Sequence, residues 1–164
     1  MKNILIITAT SGNNKKLAHE LKNILDQLNT KSTILNLEDY DLPLYKPGST
    51  YDLKHVSPLH EQFIKSGSLI FCAPEYNGGL PPVLSNAVTW MSLSSTQWRE
   101  CFDQKFTLIT SFSGGSAFRF LSEFRLQLEY LGAIVYPRTI SVTLQNPLNH
   151  DSARRILQNF IKHL

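Results

Sequence analysis

Short apolar runs alternate with stretches whose apolar residues recur every three or four positions, and this alternation is what most restricts the fold. Ile4 to Ile7 is apolar on both faces, as a strand covered by helices must be, and centres a first strand on Lys2 to Thr8. Leu17, Leu21, Ile24, Leu25 and Leu28 follow at helical spacing and mark an amphipathic helix from Asn14 to Asn29. The pattern repeats down the chain. A more polar strand spans Ser32 to Leu37, a short helix Pro58 to Lys65, and a strand Ser68 to Ala73 that Pro74 ends. A helix over Val83 to Met91 leads to a strand over Lys105 to Thr110. Ser116 to Leu131 is a long helix with Phe120, Phe124, Leu128 and Leu131 on one face, and Gly132 stops it. A fifth strand is broken around Pro137 into Ile134 to Tyr136 and Ile140 to Thr143, and a helix over His150 to His163 closes the chain. Only Asp39 to His55, with Pro43, Pro47, Gly48 and the tyrosines Tyr40, Tyr45 and Tyr51, has no period and reads as a surface excursion.

Strand–helix alternation of this kind packs as an α/β three-layer sandwich around a five-stranded parallel sheet. Right-handed crossovers favour the strand order 2-1-3-4-5, a flavodoxin-like arrangement. The 164 residues suit one domain, 1–164, and carry no repeat or linker. Ligands of such sheets sit beyond the carboxyl ends of the strands, near the point where strand order reverses. The loops after strands one, three and four are therefore the places to look, and they are also the ones with unusual composition.

The first loop runs from Thr8 through Ala9, Thr10, Ser11, Gly12 and Asn13 to Asn14. It leaves a strand and opens a helix, whose unpaired N–H groups and partial positive charge accept an anion. The hydroxyls of Thr10 and Ser11 and the amides of Asn13 and Asn14 add donors, Gly12 permits a tight turn, and Lys15 and Lys16 add charge. The same residues would also make a plain polar turn with Asn13 as N-cap. Neither GxxxxGK[ST] nor GxGxxG is present, so the loop fits one phosphate, as in a mononucleotide, rather than a triphosphate or dinucleotide. The second loop, Pro74-Glu75-Tyr76-Asn77-Gly78-Gly79-Leu80-Pro81-Pro82, offers a ring face at Tyr76, hydrogen bonds from Asn77 and the loop amides, and close backbone approach at its glycines. The third, Ser111-Phe112-Ser113-Gly114-Gly115-Ser116, would by itself be a helix-capping loop, with Ser116 or Ser113 as the cap. Its place beside the second loop in the proposed strand order joins it to the same site.

Several classes are disfavoured. The formal charge is +3 and no run of Lys or Arg is present, so a nucleic-acid footprint is not indicated. Cys72 and Cys101 belong to no CxxC pair, and His19, His55, His60, His150 and His163 show no ligand spacing, so neither a disulfide framework nor a metal site is expected. The apolar core of the first segment is too short for a signal peptide, and no stretch is long enough to span a membrane. A reducing, cytoplasmic setting is the expectation.

Pro74-Glu75-Tyr76-Asn77-Gly78, followed by Pro81, Val83-Leu84, Asn86-Ala87 and Trp90, resembles the signature of the NADPH-dependent FMN reductases, which include quinone, azo-dye and chromate reductases. The resemblance covers Met1 to about Val142 in element order as well as in motif. It implies non-covalent FMN and hydride transfer from NADPH or NADH to the flavin, then reduction of a small acceptor. It places Pro74, Glu75, Tyr76, Asn77 and Gly78 with Ser111, Phe112, Ser113, Gly114 and Gly115 along the ring, and Thr8, Thr10, Ser11, Gly12, Asn13 and Asn14 at the phosphate. It also implies a homodimer packed through the helix that carries Trp90, with the segment from Asp39 to Tyr51 covering the neighbouring site. No side chain is required as a catalytic acid or base, because the flavin carries the chemistry. The first loop departs from the family form GSxRxxSxN: it has no arginine and is closer to the hydroxyl-rich TxTGNT loop of flavodoxins, with Ala9 and Asn14 in place of hydroxyl residues. Two alternatives stand beside this expectation: a flavodoxin-type electron shuttle that docks to redox partners, and a flavin-free binding domain on the same fold.

Overall fold

The computed structural model describes residues 3–48, 56–93 and 97–164. Six segments form the spine: β1 (Ile4–Thr8), β2 (Ser32–Asn36), β3 (Ser68–Cys72), β4 (Phe106–Phe112) and the edge pieces β5 (Ile134–Val135) and β6 (Ile140–Val142). The order is β2-β1-β3-β4-β5, every pairing is parallel, and β6 also pairs with β4. β5 lies opposite Phe106 and Thr107 while β6 lies opposite Thr110 to Phe112, so the two pieces form one interrupted edge strand around Pro137, as the sequence pattern requires.

Strand alternation divides the core into two layers. Leu5, Ile7, Leu69, Phe71 and Ile109 face one side, where α2 (Ser57–Lys65), α3 (Pro82–Leu93) and α4 (Phe118–Tyr130) cover them with Leu59, Phe63, Leu84, Met91, Phe120 and Phe124. Ile4, Ile6, Ile70, Cys72 and Leu108 face the other side, under α1 (Asn13–Gln27) and α5 (His150–Ile161). Phe71 meets Phe124 edge-to-face at 5.0 Å, a favoured aromatic geometry at the centre of the first layer.

The boundaries shift for local reasons. Leu37 leaves the second strand for a 3₁₀ turn, Leu37–Tyr40, and buries its side chain there. The third helix begins at Pro82, and β4 runs two residues past Thr110 because β6 continues to pair with it. α4 begins only at Phe118, since Ala117 holds a left-handed φ of 55°. Gly132 follows Leu131 at a φ of +88° and ends the helix as expected. The described part of the irregular segment is tied to its own chain. Pro43 C=O accepts from Asn86 Nδ2 at 3.0 Å and Trp90 Nε1 at 2.7 Å, Tyr45 N–H donates to Asn86 Oδ1, and the Tyr45 and Trp90 rings meet edge-on at 5.1 Å. Asn86 and Trp90 thus hold this strap against α3. Tyr51 and His55 lie outside the described residues.

Candidate flavin site

A cleft of about 560 Å³ opens at the carboxyl edge of the sheet, the size of a cofactor pocket. The parallel register forces this convergence. β1, β3 and β4 are adjacent, with Thr8 opposite Cys72 and Cys72 opposite Thr110, and β4 runs only two residues further, so the loops that follow them emerge side by side. Thr10, Ser11, Gly12, Asn13 and Asn14 line one wall, Pro74, Glu75 and Tyr76 the second, and Phe112, Ser113 and Gly114 the third.

Hydrogen bonds between loops hold the three walls in register. Asn14, buried at the first turn of α1, donates from Nδ2 to Phe112 C=O and accepts from Phe112 N–H at Oδ1, both at 2.9 Å. One side chain thereby satisfies both backbone groups of Phe112, the last residue of β4, which makes Asn14 a clamp between the first and third loops. Glu75 N–H donates to Ser113 Oγ at 2.8 Å, and Ser113 shares a second hydroxyl bond with buried Ser111 at 2.8 Å. The Glu75 carboxylate accepts Phe120 N–H at 2.9 Å, three positions into α4, a helix with no side-chain cap of its own. Glu75 therefore caps a helix across loops while bordering the cleft, the role the sequence pattern left to Ser113 or Ser116. Gly12, not Asn13, is the N-cap residue of α1, and no side chain caps that helix.

The chain uses Asn77-Gly78 as a tight reversal. Tyr76 and Gly79 exchange N–H···O=C bonds of 3.1 and 2.9 Å around Asn77 at φ 52° and Gly78 at φ 76°, the two left-handed positions a type I′ turn needs. The turn tips toward α4, where a Cβ on Gly78 would touch the Arg119 side chain at 3.4 Å. Asn77 and Gly78 consequently stand behind Tyr76 and do not line the cleft, nor do Gly115 and the buried Thr8 and Ser111. Thr8 instead donates its hydroxyl to Thr10 C=O at 2.7 Å. Tyr76 is half exposed on the cleft wall.

The donor set suits a phosphate and a flat ring. Lys15 and Lys16 N–H both donate to Gly12 C=O, so of the opening turn of α1 it is the amides of Asn13 and Asn14, both on the cleft wall, that have no acceptor within the helix and carry the positive end of its dipole. No atom lies within 4 Å of the position a Cβ would take at Gly12 or Gly114, so both glycines leave cleft space that a side chain would fill. Cys72, beneath the floor, has its thiol pushed up to about 12 by burial, opposed only in part by the Thr110 hydroxyl at 3.1 Å. It offers no thiolate to the site. Among the described residues no group of three or more His, Cys, Asp or Glu could hold a metal, and no helix is long and apolar enough to cross a membrane.

Two residues of the cleft were missed by sequence reasoning. Glu38 follows β2, and Leu144 follows β6. Both sit just past carboxyl strand ends, so the rule that pointed to the other loops would have found them had every strand been considered.

No curated protein matches this chain in sequence. Among solved structures it is similar to FerB, a flavoenzyme NAD(P)H:(acceptor) oxidoreductase from Paracoccus denitrificans, with a TM-score of 0.75 at 16% identity over 99% of this chain and 94% of that one. The apo form of EMOB, an NADH:FMN oxidoreductase, superposes with a TM-score of 0.77 at 15% identity over 100% of this chain and 90% of that one. A flavodoxin from the domain Archaea gives 0.69 at 14% identity, covering 99% of this chain and 98% of its own. At such identities these likenesses establish the fold, which is flavodoxin-like. The sequence model for NADPH-dependent FMN reductase matches residues 1–146, a span that contains all three cleft loops. A match over that much of the chain establishes descent as well as shape, and this protein belongs to the NADPH-dependent FMN reductase family.

Proposed function

We propose that the protein is an FMN-dependent NAD(P)H oxidoreductase that delivers electrons to a small acceptor such as a quinone, an azo compound, a metal oxyanion or free flavin. The observation that carries this reading is the joining of three separate loops by Asn14–Phe112 and Glu75–Ser113 hydrogen bonds around one cofactor-sized cleft. FMN, when bound, would supply the chemistry of hydride and electron transfer. The chain's own residues bind and orient. Thr10, Ser11, Gly12, Asn13 and the start of α1 would receive the phosphate, with Lys15 and Lys16 adding charge nearby. Pro74, Glu75 and Tyr76 with Phe112, Ser113 and Gly114 would border the ring. Asn77, Gly78, Gly115, Thr8 and Ser111 would act behind these by shaping the turns, and Asn14 by clamping two of them. No side chain is needed to move a proton.

A homodimer is part of this proposal. Phe118, Leu126 and Tyr130 of α4 are 74%, 68% and 66% exposed, apolar surface that a second copy would cover. The buried Trp90 side chain is already committed to its own chain, which moves the expected contact from α3 toward α4. A cytoplasmic setting remains the expectation that accompanies this chemistry.

Two measurements test the proposal. The visible spectrum of the purified protein, with and without added FMN, should show bound flavin. Steady-state assays with NADPH, NADH and a quinone should show turnover. Flavin binding without turnover would favour the electron-shuttle alternative, which the hydroxyl-rich first loop supports and the net charge of +3 opposes. A colourless protein that takes up no FMN would defeat both.

A further inference from the structure

Ser11, at the centre of the first loop, already holds an anion. Its N–H donates to Glu38 Oε2 at 2.8 Å, and its hydroxyl donates to the same oxygen at 2.5 Å. Asn36 sets the direction of that hydroxyl. Asn36 Nδ2 donates to Ser11 Oγ at 3.0 Å and to Asp39 Oδ1 at 2.9 Å, so the single Ser11 hydroxyl proton is left for Glu38. One carboxylate oxygen thus takes an N–H and an O–H from the loop that opens α1, the pair of donors a phosphate oxygen would take there. Asn36 is nearly fully buried and cannot turn away, whereas Glu38 is exposed and lies on the cleft wall. Glu38 also borders a second hollow of about 370 Å³, between the 3₁₀ turn and the start of α3.

We infer that Glu38 is a resident internal anion of the phosphate loop, which a phosphate must displace, and that it sets how strongly the site prefers FMN over riboflavin. The inference rests on the flavin reading above and names the residue that tunes it. A phosphoryl group carries close to two negative charges at neutral pH. To use the Ser11 donors it must first expel the Glu38 carboxylate, and it then sits beside a like charge. Riboflavin, which ends in a hydroxyl, meets neither cost. The loop from Thr8 to Asn14 itself holds no cationic side chain to offset such a charge.

The test is flavin-fluorescence titration of the full chain and of Glu38→Gln and Glu38→Ala with FMN and with riboflavin. Both variants should bind FMN roughly tenfold tighter than the parent, with riboflavin changed by less than about threefold. Urea midpoints should fall only slightly, because the two Ser11 bonds that Glu38 accepts are exposed to water. FMN affinity that is unchanged or weaker in both variants overturns the inference. So does riboflavin tightening by the same factor. Weaker binding of both flavins in Glu38→Ala would make Glu38 a ligand of the ribityl chain, and that also overturns it. A parent chain that binds neither flavin overturns the cofactor reading and this inference together. A parent that binds flavin beside unchanged variants overturns this inference alone.

Discussion

Replacing Asn14 with alanine removes a side chain that ties the opening of α1 to the end of β4. Two hydrogen bonds of 2.9 Å disappear, and the N–H and C=O of Phe112 lose their partners together. Each net bond contributes about 1 kcal/mol, and a buried group left unmatched costs about 1–3 kcal/mol more. Phe112 is only half-buried beside an open cleft, so water can reach it and the total belongs near the low end, about 2–3 kcal/mol. For a chain of this length that corresponds to a fall in Tm of roughly 5–10 °C. Urea unfolding followed by far-UV circular dichroism measures it. Asn14→Asp separates the two bonds. A carboxylate still accepts Phe112 N–H but faces the Phe112 carbonyl with a negative charge and no proton, so at pH 7 it should be at least as damaging as alanine. Protonation restores a donor. The introduced carboxyl therefore has its pKa raised in the folded state, and the variant should regain stability as the pH falls toward 4 while the parent does not. An alanine variant within about 0.5 kcal/mol of the parent, or an Asn14→Asp variant with no acid recovery, would refute the clamp.

Three further outcomes follow from the same bonds and angles. Glu75→Ala should lower stability by about 1 kcal/mol, the usual cost of a lost helix cap, and Glu75→Gln by less because its carbonyl still accepts Phe120 N–H; urea midpoints check both. Gly132→Ala should cost about 1–3 kcal/mol by calorimetry, because the position sits at φ +88° and the new Cβ would collide with the Asp103 carboxylate. Cys72 is fully buried, so a thiol reagent should label it only after unfolding. Its folded-state pKa of about 12 against an ordinary 9.0 means the folded state keeps a proton that the unfolded state releases. Its contribution is complete below pH 9.0 and is lost as the pH rises toward about 12, at up to about 1.4 kcal/mol per pH unit. Cys72→Ala should flatten that alkaline decline, and an unchanged slope would count against the burial argument.

The fold was legible because the relevant signals are local and periodic. Ile4 to Ile7 and Leu69 to Cys72 could only be buried on both faces, and right-handed connection of such strands leaves few orders open. The reversal at Asn77-Gly78 was also written locally, since few residue pairs accept two consecutive positive φ angles. The roles of individual site residues were not legible in this way. Asn14 read as a phosphate donor until its partner, 98 positions away, was known. Glu75 read as a ring contact until α4 was seen to present Phe120 N–H to it. Glu38 carried no signal beyond its place just past a strand end, because its meaning comes from the register that sets the end of β2 beside the end of β1, where Asn36 and Thr8 are paired. Periodicity reports which face a residue occupies. Only three-dimensional packing decides which hydrogen-bond donors and acceptors, distant in the chain, are left to satisfy one another.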